Sequence, residues 1–310
     1  MVSVDFKVPG PAERLDAVGE TSDLPPPLRR AFDPGEDFAP VPEPGPSDWL
    51  AVHKEEGQTF ADFEKAKKNV PDKERKRIYF LPLGDFKAEG NPSLDSLKEF
   101  AAAFFGMEVA ILPSHAIGKG DFTPRVNSFN GKRQLLTSDI LGFLRKKLPG
   151  DAFCLLAITM EDLYPEPSWN FVFGQASLRG RTGVYSFARY DPAFYGERRG
   201  KDAEKLILRR SAKVLAHETA HMFGLLHCTF YSCLMNGSNH LDEADSRPLH
   251  LCPVCLRKLQ SSVKFDVADR YRKLEAFYKK VKVDDEAAWL EGRLRWLEPK
   301  KDEASRRTRS

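Results

Sequence analysis

Hydrophobic positions in the middle of the chain form short blocks whose spacing switches between the strand period and the helix period. Near-continuous apolar runs predict strands at residues 78–83, 107–112 and 152–159, and the last run is typical of a strand buried on both faces. Apolar residues at helical spacing predict helices at residues 93–105 and 138–148. This alternation predicts an α/β unit with a mostly parallel sheet.

The pattern continues with weaker signals toward the C-terminus. Residues 121–135 are polar and predict a loop or small hairpin, while residues 171–177 and 184–190 predict two further strands joined by a glycine-containing turn. Residues 206–226 predict a long helix. Residues 267–297 are helical by period and carry Lys and Arg on the polar face, so we expect helices packed on the domain, with a partner-binding amphipathic stretch as the alternative.

The first fifty residues follow neither period. They hold ten of the 22 prolines and ten acidic against four basic residues, which predicts a disordered or extended arm. A latency segment across the active site is the alternative, although this stretch contains no Cys or His to offer a metal. We therefore expect an arm at residues 1–50, a catalytic domain at 51–265 and a C-terminal helical extension at 266–310.

Charge and composition limit the classes of binding partner and the cellular location that the sequence predicts. The net charge is +3, and the basic cluster at residues 65–77 is interleaved with Asp and Glu, so a solvated face is expected there and nucleic acid is not an expected partner. No run of about 20 apolar residues is present, which argues against a membrane partner. The first 15 residues lack the apolar core of a secretory signal, so we expect a cytoplasmic or nuclear protein.

Residues 217–227 contain the strongest chemical signal, the pattern HExxHxxGxxH. His217 and His221 lie one helical turn apart on the same face, so both rings can reach one ion. Gly224 can adopt positive φ and let the chain leave the helix, which returns His227 as a third ligand. Glu218 is rotated about 100° from His217 and can reach a water bound to that ion.

Three protein ligands with one open position are typical of a catalytic zinc site. Zinc lowers the pKa of a water to near 7 and polarises a carbonyl, and Glu218 is the predicted general base. The alternative is that these are ordinary polar residues at the solvent edge of a helix. The pattern predicts hydrolysis of a peptide bond, and a hydrolase acting on another amide stays open.

Four of the five cysteines follow within 28 residues of that pattern. Cys228 and Cys233 are spaced C-x4-C, and Cys252 and Cys255 are spaced C-x2-C, which predicts a closed structural zinc site. Two disulfides are the alternative, but they need an oxidising compartment. Cys154 lies in an apolar run and is predicted to be an inert core residue.

Together these motifs resemble the archaemetzincins, most closely their eukaryotic members. The resemblance is carried by the histidine and cysteine patterns at one spacing, by residues 237–256 and by residues 169–190. It implies a metzincin-type zinc metallopeptidase with two zinc ions, one catalytic and one structural, and with a mixed, mostly parallel, twisted sheet that has an antiparallel edge strand. Met235 then corresponds to the methionine of the Met-turn beneath the catalytic zinc.

The resemblance also implies how substrate binds. The antiparallel edge strand would hold an extended peptide through its unpaired backbone groups, and an ordinary sheet edge without this role is the alternative. Its residues are Phe171, Val172, Phe173, Gly174, Gln175 and Ala176. The expected activity is aminopeptidase-like or restricted endopeptidase cleavage of peptides or unfolded protein. A zinc-stabilised interaction module with vestigial activity, reached through the N-terminal arm or the C-terminal helices, is the alternative function, and Glu218 argues against it.

Two further expectations concern the loop after the helix. His227 is joined directly to Cys228, so one loop serves both predicted metal sites and we interpret residues 217–255 as a single unit with two zinc ions. Tyr231 lies near this site in sequence and is a candidate for stabilising the oxyanion.

Overall fold

The computed structural model describes residues 5–86 and 90–298. The chain divides into two compact units, one at residues 63–226 and one that combines the residues up to 62 with those from 227 onward. The helices are α1 (Pro11–Val18), α2 (Pro26–Phe32), α3 (Trp49–Val52), α4 (Phe60–Lys65), α5 (Leu94–Phe105), α6 (Thr137–Lys147), α7 (Ala203–Met222), α8 (Leu241–Ser246), α9 (Pro253–Val263), α10 (Val267–Lys280) and α11 (Asp284–Leu297). The strands are β1 (Arg77–Leu83), β2 (Glu108–Ile111), β3 (Pro124–Val126), β4 (Arg133–Leu136), β5 (Ala152–Thr159), β6 (Asp162–Tyr164), β7 (Gly174–Ser177) and β8 (Thr182–Ser186).

Within the described ranges, no helix has both the length and the apolar character needed to span a bilayer.

The unit at residues 63–226 is built on a five-stranded sheet with the strand order β2-β1-β5-β8-β7. The first four strands are parallel to their neighbours, and β7 pairs antiparallel with β8 at one edge. The predicted mixed α/β architecture with a mostly parallel sheet is therefore confirmed.

Strand β5 lies at the centre of this sheet and is buried along its whole length. Leu155 and Ala157 belong to the apolar cluster that includes the buried residues of α6. Leu156 points to the other face of the sheet. A Cβ on Gly183 would lie 2.8 Å from Met222 of α7 and 3.4 Å from Leu156, so the lack of a side chain at Gly183 lets α7 approach the sheet closely. Burial raises the pKa of the Cys154 thiol far above its ordinary value, as expected for an inert core residue.

The structure differs from the predicted strands at three places. Strand β6 was not predicted, and it joins β3 and β4 in a second, three-stranded sheet. Strand β7 begins only at Gly174 because the rings of Phe171 and Phe173 pack instead against Arg189 and Tyr190. Strand β8 starts earlier than predicted and is followed by a short 3-10 turn at Ala188–Tyr190.

That turn is held by a buried ion pair. The guanidinium of Arg189 donates two hydrogen bonds of 2.8 Å to the carboxylate of Asp162 in β6. The side chains of Arg189 and Asp162 are only 7% and 1% exposed, and Gln134 donates a third hydrogen bond to the same carboxylate at 2.8 Å. The pair fixes the segment around Phe171 that leads into the edge strand, since Arg189 also lies 3.6 Å from the centre of that ring.

The N-terminal segment differs from the predicted disordered or extended arm. It contains α1 and α2, whose buried residues include Ala17 and Phe32. Arg257 of α9 donates to the carbonyls of Val18 at 2.6 Å and Glu20 at 2.7 Å, which satisfies the C-terminal end of α1. Because this partner lies 239 residues away from Val18, composition alone gave no sign of it.

A second arginine holds α2 in the same way. Arg293 of α11 is fully buried and donates to the carbonyls of Ala31 at 3.3 Å and Asp33 at 3.1 Å. It also forms an ion pair of 2.7 Å with Asp37. Helices α10 and α11 are thus packed within this unit, as the simpler of the two sequence interpretations expected. The last predicted residues, 299–310, lie outside the described residues, and the proposed boundaries at residues 50 and 265 stay a prediction.

We expect Arg189→Met to lower the free energy of unfolding by about 3 kcal/mol, because it leaves the Asp162 carboxylate buried without its charge partner. The control is Arg133→Met, since Arg133 pairs with the neighbouring Glu161 at 3.6 Å in an exposed position and should contribute at most about 1 kcal/mol. Urea unfolding of both variants measures the difference. Equal midpoints for the two variants would show that the buried pair does not stabilise this unit.

Candidate metal centres

Helix α7 carries two imidazoles that face each other. The Nε2 atoms of His217 and His221 lie 3.2 Å apart, with the ring planes at 85°. The Nδ1 of His221 lies 2.6 Å from the carbonyl oxygen of Leu225, which can only accept a hydrogen bond. Nδ1 therefore carries the proton, and Nε2 carries the lone pair toward His217. Two nitrogens bound tetrahedrally to one zinc ion at about 2.0–2.1 Å are about 3.3 Å apart, so the spacing fits that metal.

Helix α7 ends earlier than predicted, at Met222 rather than at 226. Gly224 follows with φ of +89°, a conformation that residues with a side chain rarely adopt. A Cβ at this position would also lie 2.9 Å from the Cβ of Lys68. Glycine is therefore required here both by backbone conformation and by space, and the sharp turn predicted from the sequence is present.

Glu218 lies on α7 beside the edge strand. A Cβ on Gly174 of β7 would be 3.3 Å from the Cγ of Glu218 and 3.0 Å from the carbonyl oxygen of Val184. The backbone of β7 at Gly174 thus passes close to the side chain of Glu218. Burial, and then the charge of Glu218, raise the pKa of the neighbouring Tyr185 well above its ordinary value.

His227 has a carboxylate partner that the sequence analysis missed. Its Nδ1 lies 2.7 Å from Oε1 of Glu55, and the ring of Trp49 meets its ring edge-to-face at 5.1 Å. Burial by itself raises the pKa of Glu55, but the hydrogen bond with His227 opposes it, and the pKa lies below its ordinary value. No motif in the sequence marks Glu55, because it lies 172 residues before His227.

The predicted histidine group draws on both units: His217 and His221 lie on α7 in the unit at residues 63–226, and His227 is the first residue of the second stretch of the other unit. The donor set of three imidazoles suits zinc, and the protons on Nδ1 of His221 and His227 leave Nε2 as the donor atom in both.

The four predicted cysteines form a second candidate group. The Sγ atoms of Cys228, Cys233, Cys252 and Cys255 lie within 4.8 Å of one another, and all four residues are buried. All are free thiols, with Cys228 and Cys252 at 3.6 Å between their sulfur atoms. The backbone N–H groups of Met235 and Cys252 both donate to Sγ of Cys233, at 3.4 Å and 3.2 Å.

The four thiols differ in how easily they lose a proton. Hydrogen bonds from the three neighbouring thiols lower the pKa of Cys228 well below its ordinary value. Burial and the charge of Cys228 raise the pKa of Cys252 well above it. The protein by itself therefore stabilises one thiolate and suppresses the next, whereas four thiolates together require a divalent ion between them.

A tight loop contains His227 and the first two cysteines, and Asn236 organises it. Its side-chain amide donates to the carbonyls of Cys228 at 2.7 Å and Tyr231 at 2.9 Å, and its Oδ1 accepts from the N–H of Cys233 at 2.8 Å. The N–H of Cys228 also donates to the carbonyl of Met235 at 2.8 Å. Asn236 was not predicted, although its position directly after Met235 in a buried loop is the one signal the sequence offers.

Tyr231 lies in the same loop. Its ring packs against Phe38 and under the guanidinium of Arg14 at 5.6 Å. Burial raises the pKa of its hydroxyl to about 12. The phenol ring is therefore held against the N-terminal segment. Its suggested role with an oxyanion stays a prediction.

A third group of side chains, Asp48, His240 and Glu243, also lies within ligand distance. Nε2 of His240 lies 3.0 Å from Oδ1 of Asp48, and its Nδ1 accepts from the N–H of Glu243 at 3.2 Å. Nδ1 thus caps the start of helix α8, and Nε2 is engaged by Asp48. These hydrogen bonds explain why the three side chains lie close together, so no ion is needed to explain it.

The chain is similar to proteins of one peptidase family. The family model described as Peptidase family M54 matches residues 134–261. Archaemetzincin-2 of Macaca fascicularis is 39% identical over 293 residues, covering 86% of this chain and 80% of that protein. Archaemetzincin-2 of Homo sapiens is 39% identical over 289 residues, covering 84% of this chain and 79% of that protein.

A solved structure is also similar. The crystal structure of archaemetzincin from Methanopyrus kandleri matches with a TM-score of 0.47 and 30% sequence identity. The match covers 63% of this chain and 99% of the archaeal chain.

Proposed function

Since the chain belongs to the archaemetzincins of peptidase family M54 and is a zinc metallopeptidase, we propose that His217, His221 and His227 hold its catalytic zinc and that Glu218 is the general base. The facing Nε2 atoms of His217 and His221, 3.2 Å apart, are the observation that carries this proposal. The reaction class is peptide-bond hydrolysis on a metzincin-type scaffold.

Zinc bound at these residues supplies Lewis acidity, which lowers the pKa of a water from about 15.7 to near 7 and polarises the scissile carbonyl. The carboxylate of Glu218 accepts the proton of the attacking water as the water oxygen bonds to the carbonyl carbon. When the C–N bond breaks, the same carboxyl group returns that proton to the amine nitrogen. The position of Glu218 one residue after His217 on α7 supports this role, because it is offset from the ligand face by about 100°.

We further propose that the cysteine group binds a second, structural zinc. The burial of all four thiols and their placement within 4.8 Å of one another support this, since four buried thiolates in one group need a cation between them. Met235, whose backbone carbonyl accepts from Cys228, takes the place of the Met-turn residue in this assignment.

Strand β7 is the proposed substrate edge. The carbonyl of Phe173 accepts from the N–H of Ser186 at 2.8 Å, and bonded pairs alternate along an antiparallel ladder. Gln175, opposite Val184, therefore turns its backbone toward β8, whereas Gly174 and Ala176 turn theirs outward. Because β7 has no second strand neighbour in the described part of the chain, these outward groups could pair with an extended peptide. The proposed substrates are peptides or unfolded segments, cleaved with aminopeptidase-like or otherwise restricted specificity.

Glu218→Gln should lower kcat by a factor of about 10²–10⁴ and leave zinc content unchanged, because the amide cannot accept the proton of water. The matched control is Glu204→Gln, an exposed glutamate in the first turn of the same helix. Cleavage of a peptide library with zinc measured per chain is the test. Equal activity in the wild type and Glu218→Gln would show that another group is the base.

Ala176→Pro should raise KM for peptides while the protein stays folded, because proline removes an outward N–H that the ladder does not use. Gln175→Pro is the contrasting variant, since it removes an N–H directed at β8 and should lower thermal stability. Steady-state kinetics and thermal unfolding separate the two effects. An unchanged KM in Ala176→Pro would remove β7 as the substrate edge.

Cys252→Ser should release the structural zinc and also lower occupancy of the histidine site, because Cys228 and His227 are adjacent in one loop. Cys154→Ala, at a buried cysteine outside the group, is the control. Zinc bound per chain is measured for both variants. Loss of one ion with full peptidase activity would show that the two sites are independent.

A further inference from the structure

We propose that the carboxylate of Glu55 positions the imidazole of His227 and that residues 49–58 hold this carboxylate and imidazole in place. The inference rests on the proposed function in one respect, that His227 is a ligand of the catalytic zinc. It goes beyond it by assigning a role to a residue of the N-terminal part of the chain, which lies outside the HExxHxxGxxH pattern and the matched family region at 134–261.

The hydrogen bond between Glu55 and His227 decides which nitrogen can bind metal. An ionised carboxylate only accepts, so Nδ1 of His227 must donate across the 2.7 Å to Oε1, and Nε2 then carries the lone pair. His221 reaches the same state through the carbonyl of Leu225, at 2.6 Å. His227 lies in a loop beyond the helix. There Glu55 provides the hydrogen-bond acceptor for Nδ1, as the carbonyl of Leu225 does for His221.

Trp49 limits the rotation of the same imidazole from a second side. Its ring meets His227 at 5.1 Å and 83°, and its own position is fixed by two contacts. The backbone N–H of Trp49 donates to the carboxylate of Glu243 at 3.0 Å. Gly237 leaves room for the indole, because a Cβ there would lie 2.5 Å from it. The ring of His227 is thus held by a hydrogen bond at Nδ1 and by an aromatic wall.

The backbone after Glu55 is fastened to the segment that follows His227. Gly57 has φ of +78°, and a Cβ on it would overlap the hydroxyl of Thr229 and lie 3.0 Å from the ring of Phe230. The next residue, Gln58, is 6% exposed, and its carbonyl accepts from Nζ of the buried Lys258. Glu55 is therefore anchored on both sides, at Trp49 and at Gly57, and is not a surface carboxylate that reaches a histidine by chance.

The experiment compares Glu55→Ala, Glu55→Gln and the control Glu56→Ala in the full chain. Glu56 is the adjacent exposed glutamate, so it matches Glu55 in charge and sequence position. Zinc retention is measured by titration with a chromogenic chelator, and the visible spectrum is measured after replacement of the histidine-bound ion by Co²⁺. Wild type and His227→Ala define the two limits.

Glu55→Ala should bind the histidine-site ion about 10–100-fold more weakly and shift the Co²⁺ absorption bands, with the cysteine-bound ion retained. Glu55→Gln should restore most of the affinity, because its amide oxygen can still accept from Nδ1 of His227. Glu56→Ala should match wild type. In Glu55→Ala saturated with zinc, we expect kcat to fall while KM stays unchanged, which a purely structural defect would not produce.

Two outcomes separate the inference from its premise. If His227→Ala loses the ion and Glu55→Ala keeps wild-type affinity and spectrum, Glu55 has no positioning role and the inference is wrong. If His227→Ala itself keeps the ion, the proposed ligand set is wrong, whatever Glu55 does. A loss in Glu55→Ala that Glu55→Gln does not restore would also overturn the positioning role, since it would trace to charge or folding and not to the hydrogen bond.

Discussion

The peptide bond between His227 and Cys228 is the constraint on which the chemistry of this protein depends. The side chain on one side of it belongs to the histidine group and the side chain on the other belongs to the cysteine group. The loop that contains it closes on itself through the 2.8 Å hydrogen bond from Cys228 to Met235. Any shift of the sulfur in this loop therefore moves the neighbouring imidazole as well.

Burying such a loop costs free energy unless its peptide N–H and C=O groups find hydrogen-bond partners, because they lie in no regular helix or sheet. The amide of Asn236 satisfies part of this need within the loop. The N-terminal segment satisfies another part, where Val41 donates to the carbonyl of Phe230 and Ser232 donates to the carbonyl of Ala39 at 2.9 Å. The unpaired peptide groups of this loop thus explain why the proline-rich, acidic segment packs against it.

How much the sequence could predict depended on whether an element and its partners are close in the chain. The fully apolar strand β5 and the periodic helix α5 were predicted at nearly their observed bounds, because burial pattern and caps such as Ser93 are local signals. The histidine and cysteine patterns could be recognised for the same reason, since each consists of short spacings along the chain. Glu55 and Arg293 could not, because each acts on residues about 170 to 260 positions away.

The N-terminal segment shows why composition misled at that point. Proline is unfavourable inside a helix but favourable at its first position, and both α1 and α2 begin with one, at Pro11 and Pro26. Helices of seven or eight residues are marginal in isolation, so these two exist through tertiary contacts such as that of Arg257 with Val18. Arg257 follows two residues after Cys255 in α9, and that helix begins directly after Cys252. Because structural zinc contributes folding free energy on the order of 10–16 kcal/mol, comparable to the whole stability of a domain, an ion at the proposed cysteine site would stabilise the start of α9 and through it the N-terminal segment that carries Glu55.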